Sequence, residues 1–322
     1  MKKLGVTDRR LLDEVQRRFP VCARPYAVLG ERLGLREPGV IKRLEWLKAR
    51  GVIRRIGPVF DARAHNLQSI LVGLSVPPAR VKRTARIING CIGVTHNYLR
   101  RHRFNIWFTL SSRSLKSRRK ILDGMKEKIS PREWLELPTR RVFKIGVLFN
   151  VFSTAGQSEK GGVPDSLSRR HSGKIVSPPI PPSRAWLVPF DLPLVPEPFP
   201  RGVVGDLRRR ISSGSVRRFG AVLDGKALGY NFSALVAWKV GPARVERAGR
   251  LIGLFPCVSH CYERGGAKAW PFRLYTVVHA RGRREGVRLI EKMASASAIG
   301  EYIVLETVRP LKRTPLPFPH LL

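Results

Sequence analysis

The sequence predicts an α+β protein in which one two-part module occurs twice: a winged helix-turn-helix followed by a ferredoxin-like βαββαβ domain, the second helix-turn-helix being abbreviated. Three observations carry this reading. VIRRIGPVFD, Val52 to Asp61, recurs as SVRRFGAVLD, Ser215 to Asp224. GVTHNYLR, Gly93 to Arg100, recurs as CVSHCYER, Cys257 to Arg264. His96 and His260 stand 164 positions apart and Arg54 and Arg217 stand 163 apart, so both motifs repeat in nearly one register, the mark of an internal repeat.

The elements follow in order. Thr7 is placed to cap a first helix whose apolar Leu11, Leu12 and Val15 keep helical spacing. A short helix is expected over about Pro25 to Leu33. A third has Pro38 in its first turn and carries Val40, Ile41, Leu44 and Leu47 until Gly51 ends it, and Val52 to Phe60 is extended. Three helices and a strand outline a winged helix-turn-helix. A strand (Ser69 to Val76), a helix (Ala79 to Asn89), two strands (Gly93 to Arg100, Phe104 to Ser111), a helix (Leu115 to Ile129) and a last strand near Arg141 to Phe149 give βαββαβ. The second copy repeats the series: Ser233 to Val240, Ala243 to Leu254, Val258 to Arg264, Phe272 to His279, Arg283 to Ala294 and Tyr302 to Val308. Its front part is shorter, because Tyr26 and Phe60 stand 34 positions apart and the matching Phe199 and Leu223 only 24. The expected domains are 1–65 and 66–152, a Ser-, Gly- and Pro-rich flexible linker 153–184, then 185–230, 231–314 and a tail 315–322.

Composition narrows the partners. With 61 Lys and Arg against 23 Asp and Glu the 322-residue chain carries a formal +38, which attracts nucleic acid, an acidic surface or a polycarboxylate metabolite. Four cysteines without a CxxC pair are too few for a disulfide framework and lack zinc-finger spacing, so a reduced, cytoplasmic protein without a metal site is expected. No stretch reaches the roughly 18 apolar residues of a membrane span.

Side chains two apart on a strand share a face, so His96, Tyr98 and Arg100 project together, as do His260, Tyr262 and Arg264. On the next strand Trp107 lies beside Asn105, and Tyr275 beside Arg273 and His279, with Ile106, Phe108, Leu110 and Leu274 opposite. The apolar set suits packing on helices, which leaves the His, Tyr, Arg and aromatic set for the other side. Arg54, Arg55, Arg217 and Arg218 recur beside Gly57 and Gly220 and fit either a solvated wing or an anion contact.

RPY at Arg24 to Tyr26, RRIGPVFD, THNYLR with FNIWFTL, RRFGAVLD, SHCYER, WPFRLYTVVHAR and YIVLETVRPLK together resemble the siroheme decarboxylases in their fused two-subunit form, themselves similar in structure to the Lrp/AsnC transcription regulators. The resemblance implies a carboxy-lyase that removes two acetate carboxyl groups from siroheme to give 12,18-didecarboxysiroheme, for haem or modified-haem synthesis. It implies no cofactor, since the iron belongs to the substrate and the tetrapyrrole accepts electron density itself, and a pseudo-dimer within one chain. His96 and His260, with Tyr98 and Tyr262, become the catalytic candidates, because imidazole exchanges protons near neutral pH. Arg24, Arg54, Arg55, Arg100, Arg217, Arg218 and Arg264 become contacts to the substrate's carboxylates. Trp107 and Tyr275 become aromatic covers for the macrocycle. Between the histidines, Arg100, Arg101, His102 and Arg103 follow His96 and should keep it neutral, for contact with a carboxylate or the substrate's iron. Cys261, Glu263 and Arg264 follow His260, with Trp270 and Tyr275 nearby, a less cationic and more aromatic setting that suits proton delivery. The chain departs from strict repetition where Glu197 stands for Arg24 and Arg273 for Asn105, so the two halves are not chemically equal.

A DNA-binding regulator is the alternative reading, supported by the charge and the first helix-turn-helix; the shortened second one argues against it and leaves only nonspecific nucleic-acid binding. A haem carrier, using a histidine only as an axial ligand, is a third.

Overall fold

The computed structural model describes residues 4–152, 191–265 and 270–314. The expected linker 153–184 and tail 315–322 lie outside the described residues. Two compact units emerge, each built from both halves of the chain. Among the described residues the first holds those up to 64, 147–152 and 191–230; the second holds 65–146 and those from 231 onward.

In the first unit α1 (Val6–Arg17), α2 (Pro25–Leu33) and α3 (Glu37–Ala49) precede β1 (Ile53–Phe60). Gly5, not Thr7, stands at the cap of α1; it has no side chain to accept from the first-turn N–H groups, and the Asp8 carboxylate folds back to accept from the Gly5 N–H at 3.2 Å, the third-position half of a capping box. Pro25 and Pro38 sit in first turns, where a missing N–H costs nothing. Gly34 and Gly51 stop α2 and α3 at φ +67° and +68°, a conformation only glycine adopts freely. The buried stripe of Leu11, Leu12, Val15, Leu29, Val40, Leu44 and Leu47 forms one core with Val216, Phe219 and Leu223. From the second half come α6 (Arg201–Ser212) and β6 (Val216–Leu223), the counterparts of the abbreviated helix-turn-helix. The two wings pair with each other: β1 and β6 run antiparallel with Gly57 opposite Gly220.

The second unit is a closed eight-stranded barrel. The first half supplies β2 (Gln68–Ser75), α4 (Val81–Asn89), β3 (Val94–Arg100), β4 (Ile106–Ser112), α5 (Leu115–Ile129) and β5 (Glu133–Ile145). The second supplies β7 (Phe232–Trp238), α7 (Val245–Gly253), β8 (Val258–Arg264), β9 (Leu274–Ala280), α8 (Arg283–Ser297) and β10 (Tyr302–Arg313). Strand order around the barrel is β10-β3-β4-β2-β5-β8-β9-β7. Outside it, Val81, Ile88, Leu122, Met125 and Ile129 of α4 and α5 pack on Ile70, Val72, Ile106, Phe108 and Leu110. Inside lie Leu71, Phe104, Trp107, Leu135, Leu137, Leu235, Trp270, Phe272, Tyr275 and Leu305.

The last strands close the barrel. β5 pairs with β2 of its own half up to Pro138 and with β8 of the other half from Thr139 on; β10 does the same with β7 and then β3. This is why β5 reaches from Glu133 to Ile145 and β10 to Arg313, where the sequence suggested strands near Arg141 to Phe149 and ending at Val308. Cutting the chain at a protease site inserted between residues 153 and 190 should therefore leave the two halves co-eluting in native buffer. Separation without denaturant would contradict the exchanged-strand seam.

Candidate functional site

Strand direction decides where the paired histidines go. The barrel strands alternate in direction, and β3 and β8 are four places apart in the ring, so they run the same way on opposite sides. His96 and His260 sit near the start of each, and the two imidazoles therefore share one rim. Tyr98 pairs with Trp107 and Tyr262 with Tyr275, both members of the inner cluster, which fixes the inward face for the tyrosines and, at the rim, for the histidines. His96 stacks on Tyr98 at 6.2 Å and His260 on Tyr262 at 5.9 Å between ring centroids. Behind them the Arg100 and Arg264 guanidiniums lie over the same tyrosine rings at 5.0 and 4.8 Å. The His, Tyr, Arg face read from the spacing is thus one column in each half.

The charge around the histidines differs from that suggested by their sequence neighbours. A strand advances about 3.3 Å per residue, so Arg101, His102 and Arg103 are carried to the far end of the barrel, away from His96. His102 there stacks on Phe104 and meets Trp270 edge-on at 5.9 Å; burial and Arg103 push its pKa down against the pull of Glu133. Across the seam, Arg313 stands opposite His96, whereas Ile145 stands opposite His260. Arg313 works against a second positive charge at His96.

Arg100 and Arg264, only 6% and 4% exposed, are committed to the seam rather than free to grip carboxylates. Arg100 Nη1 donates to Leu305 O at 2.9 Å and Thr307 Oγ1 at 2.8 Å; Arg264 Nη1 donates to Leu137 O at 3.3 Å and Thr139 Oγ1 at 3.0 Å. Each reaches the exchanged strand of the other half. Burial drags the Arg100 pKa down to about 10 and lowers that of Arg264, and both Nε atoms are buried without a hydrogen-bond partner.

Trp107 and Tyr275 are 1% and 0% exposed and fill the barrel instead of covering a ligand. Trp107 Nε1 donates to Phe104 O at 2.7 Å, Trp270 Nε1 to Tyr275 Oη at 2.7 Å, and Tyr275 Oη to Phe272 O at 3.0 Å, so the polar end of each is satisfied inside. Tyr275 is correspondingly pushed well above the usual phenol range by burial.

The remaining expected anion contacts belong to the first unit. Arg24, at the start of α2, is ion-paired with Glu37, whose carboxylate takes the place expected for a substrate anion. Arg55 Nη1 donates to Pro58 O at 3.0 Å, and Arg218 Nη1 donates to the Gln16 and Ala221 carbonyls. Burial lowers the pKa of both to about 10, helped by neighbouring arginines and, at Arg55, opposed by Asp191. These two are wing-supporting cations. Arg54 is exposed and Arg217 half-buried.

Cys261 is packed against α7, its Sγ 3.5 Å from Gly249 O, and burial pushes its thiol far above the usual range. In the folded protein it should resist alkylation at pH 8, while the partly exposed Cys22, Cys91 and Cys257 react. Rapid labelling of Cys261 would contradict its packing. Among the described residues no cluster of three or more His, Cys, Asp or Glu could hold a metal ion, and no helix is long and apolar enough to cross a membrane.

His279 is the residue that sequence reading passed over, having placed it only beside Tyr275. Its Nε2 lies 2.9 Å from Ser259 Oγ, which is 2.9 Å from His260 Nδ1. The absence of a histidine at the matching Ser111 was the available signal.

Comparisons with known proteins agree along the chain. The AsnC-like ligand binding domain family matches residues 67–144 and 227–312, and the siroheme decarboxylase NirDL-like HTH domain matches residues 8–54. A siroheme decarboxylase of Hydrogenobacter thermophilus is 30% identical over 320 residues, covering 94% of this chain and 92% of that protein. A siroheme decarboxylase alpha subunit of Desulfovibrio desulfuricans is 44% identical over 144 residues, 45% of this chain and 83% of that one. The crystal structure of the siroheme decarboxylase NirDL in complex with an iron-uroporphyrin III analogue superposes with a TM-score of 0.65 at 25% identity, covering 97% of this chain and 94% of that one.

Proposed function

The chain belongs to the siroheme decarboxylases, both halves of the enzyme being joined in one polypeptide, and from that premise we propose that it is a carboxy-lyase converting siroheme to 12,18-didecarboxysiroheme and carbon dioxide. The observation that carries the reading is the pair of histidine–tyrosine columns facing each other across one barrel rim. At each acetate the bond between methylene and carboxylate breaks, carbon dioxide leaves, and the electron pair stays on the methylene carbon, delocalised into the macrocycle. A proton then completes a methyl group. The tetrapyrrole is the electron sink, so this scheme uses no added cofactor, and the iron is the substrate's own.

In this scheme His260 delivers the proton, because Ile145 rather than a cation stands across from it. His96, opposite Arg313, takes a carboxylate hydrogen bond or contacts the substrate's iron. Tyr98 and Tyr262 hold the imidazole planes by stacking. Of the barrel's arginines, Arg100 and Arg264 offer a carboxylate only their unpartnered Nε edges. All four cysteines are free thiols, which supports a cytoplasmic enzyme.

Anaerobic incubation of the purified protein with siroheme tests the reading. The expected product is lighter by two carbon dioxide units, and unchanged pigment under reducing, oxygen-free conditions would sink the proposal. The intact first helix-turn-helix and the +38 charge favour some DNA binding, expected to be nonspecific and to fade steeply with salt. A sequence-specific footprint at physiological salt would instead support regulation.

A further inference from the structure

Each half bends its histidine strand at the same point. Register shifts fall between Val94 and His96 in β3 and between Val258 and His260 in β8. A regular strand would send consecutive side chains to opposite faces, and the bulge lets the preceding hydroxyl reach the histidine. Thr95 Oγ1 is 2.9 Å from His96 Nδ1, as Ser259 Oγ is from His260 Nδ1. Beyond the hydroxyl the halves part. The N–H of Ser111 donates to Gly93 O as the N–H of His279 donates to Cys257 O, so Ser111 and His279 hold equivalent positions. Only the second half continues the chain into a second imidazole, at 2.9 Å, with Ser259 Oγ also 3.3 Å from Val277 O.

We propose that His279 is a positioning residue that acts through the Ser259 hydroxyl to keep a proton on His260 Nδ1, and so favours the protonated form of His260 that delivers a proton to the substrate from Nε2. The proposal rests on the reading of His260 as the proton donor. A hydroxyl carries one proton, and that of Ser259 has two acceptors in reach, Val277 O at 3.3 Å and, at 2.9 Å, an unprotonated His279 Nε2. If His279 Nε2 accepts from Ser259, the Ser259 oxygen is left to accept from His260 Nδ1–H. That polarity needs a neutral His279, and burial, with Arg313 and Arg100 adding to it, lowers its pKa to about 4. When the Nε2 proton moves to the methylene carbon, His260 becomes a neutral ring that still carries its Nδ1 proton. A proton from solvent then restores Nε2, and His279 and Ser259 end as they began.

The charged and titratable neighbours do not supply this bias by themselves. On β8 Tyr262 stacks on His260 and Arg264 is positive; on β9 the Tyr275 hydroxyl is tied to Phe272 O. On β5 Lys144 is positive, with its amine on Phe255 O at 2.9 Å. Glu246 of α7 is already bound to Arg141 and Arg250. Arg264 and Lys144, with Arg313 and Arg100 acting on His279 one hydroxyl away, oppose a protonated His260, and the Ser259–His279 chain favours it.

The test uses the full chain with His279→Ser, which imports the first half's residue, and with Ser259→Ala, which breaks the bridge and keeps both rings. Nitrogen NMR of the histidine rings across pH, without substrate, should show the His260 titration midpoint falling by about one unit in each variant, a roughly tenfold change in its protonation constant. The protonated form is the active one, so activity falls as pH rises through that midpoint. The falling limb of kcat should move to lower pH by the same amount, with siroheme binding retained. Ser259→Thr, which keeps the hydroxyl, should restore both readouts. A His260 titration unmoved in the variants would overturn the proposal. A titration that moves while the kcat limb does not would leave the positioning role standing and overturn the assignment of His260 as proton donor.

Discussion

Replacing His260 with alanine is expected to leave siroheme bound and to cut turnover roughly 10²- to 10⁴-fold, the usual worth of a positioned proton donor. The ring lies at the rim of the barrel, and its removal opens no cavity in the core, so the loss should appear in kcat with the thermal midpoint little changed. His96→Ala is expected to behave differently, changing the absorption spectrum of the bound pigment or weakening binding, because Arg313 across the strand makes that ring a poor carrier of a further positive charge. Single-turnover assays with the products resolved would separate the two. If each variant instead abolishes a different one of the two decarboxylations, both histidines are proton donors and the division proposed here is wrong.

The second large effect is on stability. Trp107→Ala is expected to cost about 3–5 kcal/mol, the range for removing a buried aromatic from a packed core. The indole is closed in by Phe104 and Trp270, with ring centroids at 6.2 and 6.0 Å, and by Gly73 on the neighbouring strand. A Cβ built on Gly73 would come within 2.9 Å of the ring, so a glycine there is what makes room for the tryptophan. Tyr275→Phe should cost about 1–3 kcal/mol, because Trp270 Nε1 would lose its acceptor in a buried setting. Denaturant midpoints measure both. An unchanged midpoint together with a raised KM for siroheme would show that these rings cover the substrate, as their polar-face spacing had suggested.

That contrast marks what the sequence could reveal. Alternation correctly separated Ile106, Phe108 and Leu110, which pack on α4 and α5, from the His, Tyr, Arg and Trp face, because period two is a property of the strand itself. The repeat likewise exposed the two-part module and its shortened second copy. Alternation carried no information on what lies across from a face, and here the second face is the interior of a barrel closed by β5 and β10 of opposite halves. The partners of Arg100 and Arg264 are on those exchanged strands, more than a hundred residues away in sequence, so both looked like free carboxylate ligands. Arg24 looked free for a similar reason, its partner Glu37 lying on another helix. The setting of His96 was misjudged because neighbours in sequence recede along a strand, whereas Arg313 arrives from the opposite half. His279 showed its role only when the bulge at Ser259 brought it within a hydrogen bond of the column.

The most direct test of the account is the mass of the pigment after anaerobic turnover of siroheme in heavy water. Loss of two carbon dioxide units with one deuterium in each new methyl group is the predicted result, since each carbanion-like centre takes its proton from a group that exchanges with solvent. Siroheme recovered with all its carboxylates, bound but unconverted, would contradict it.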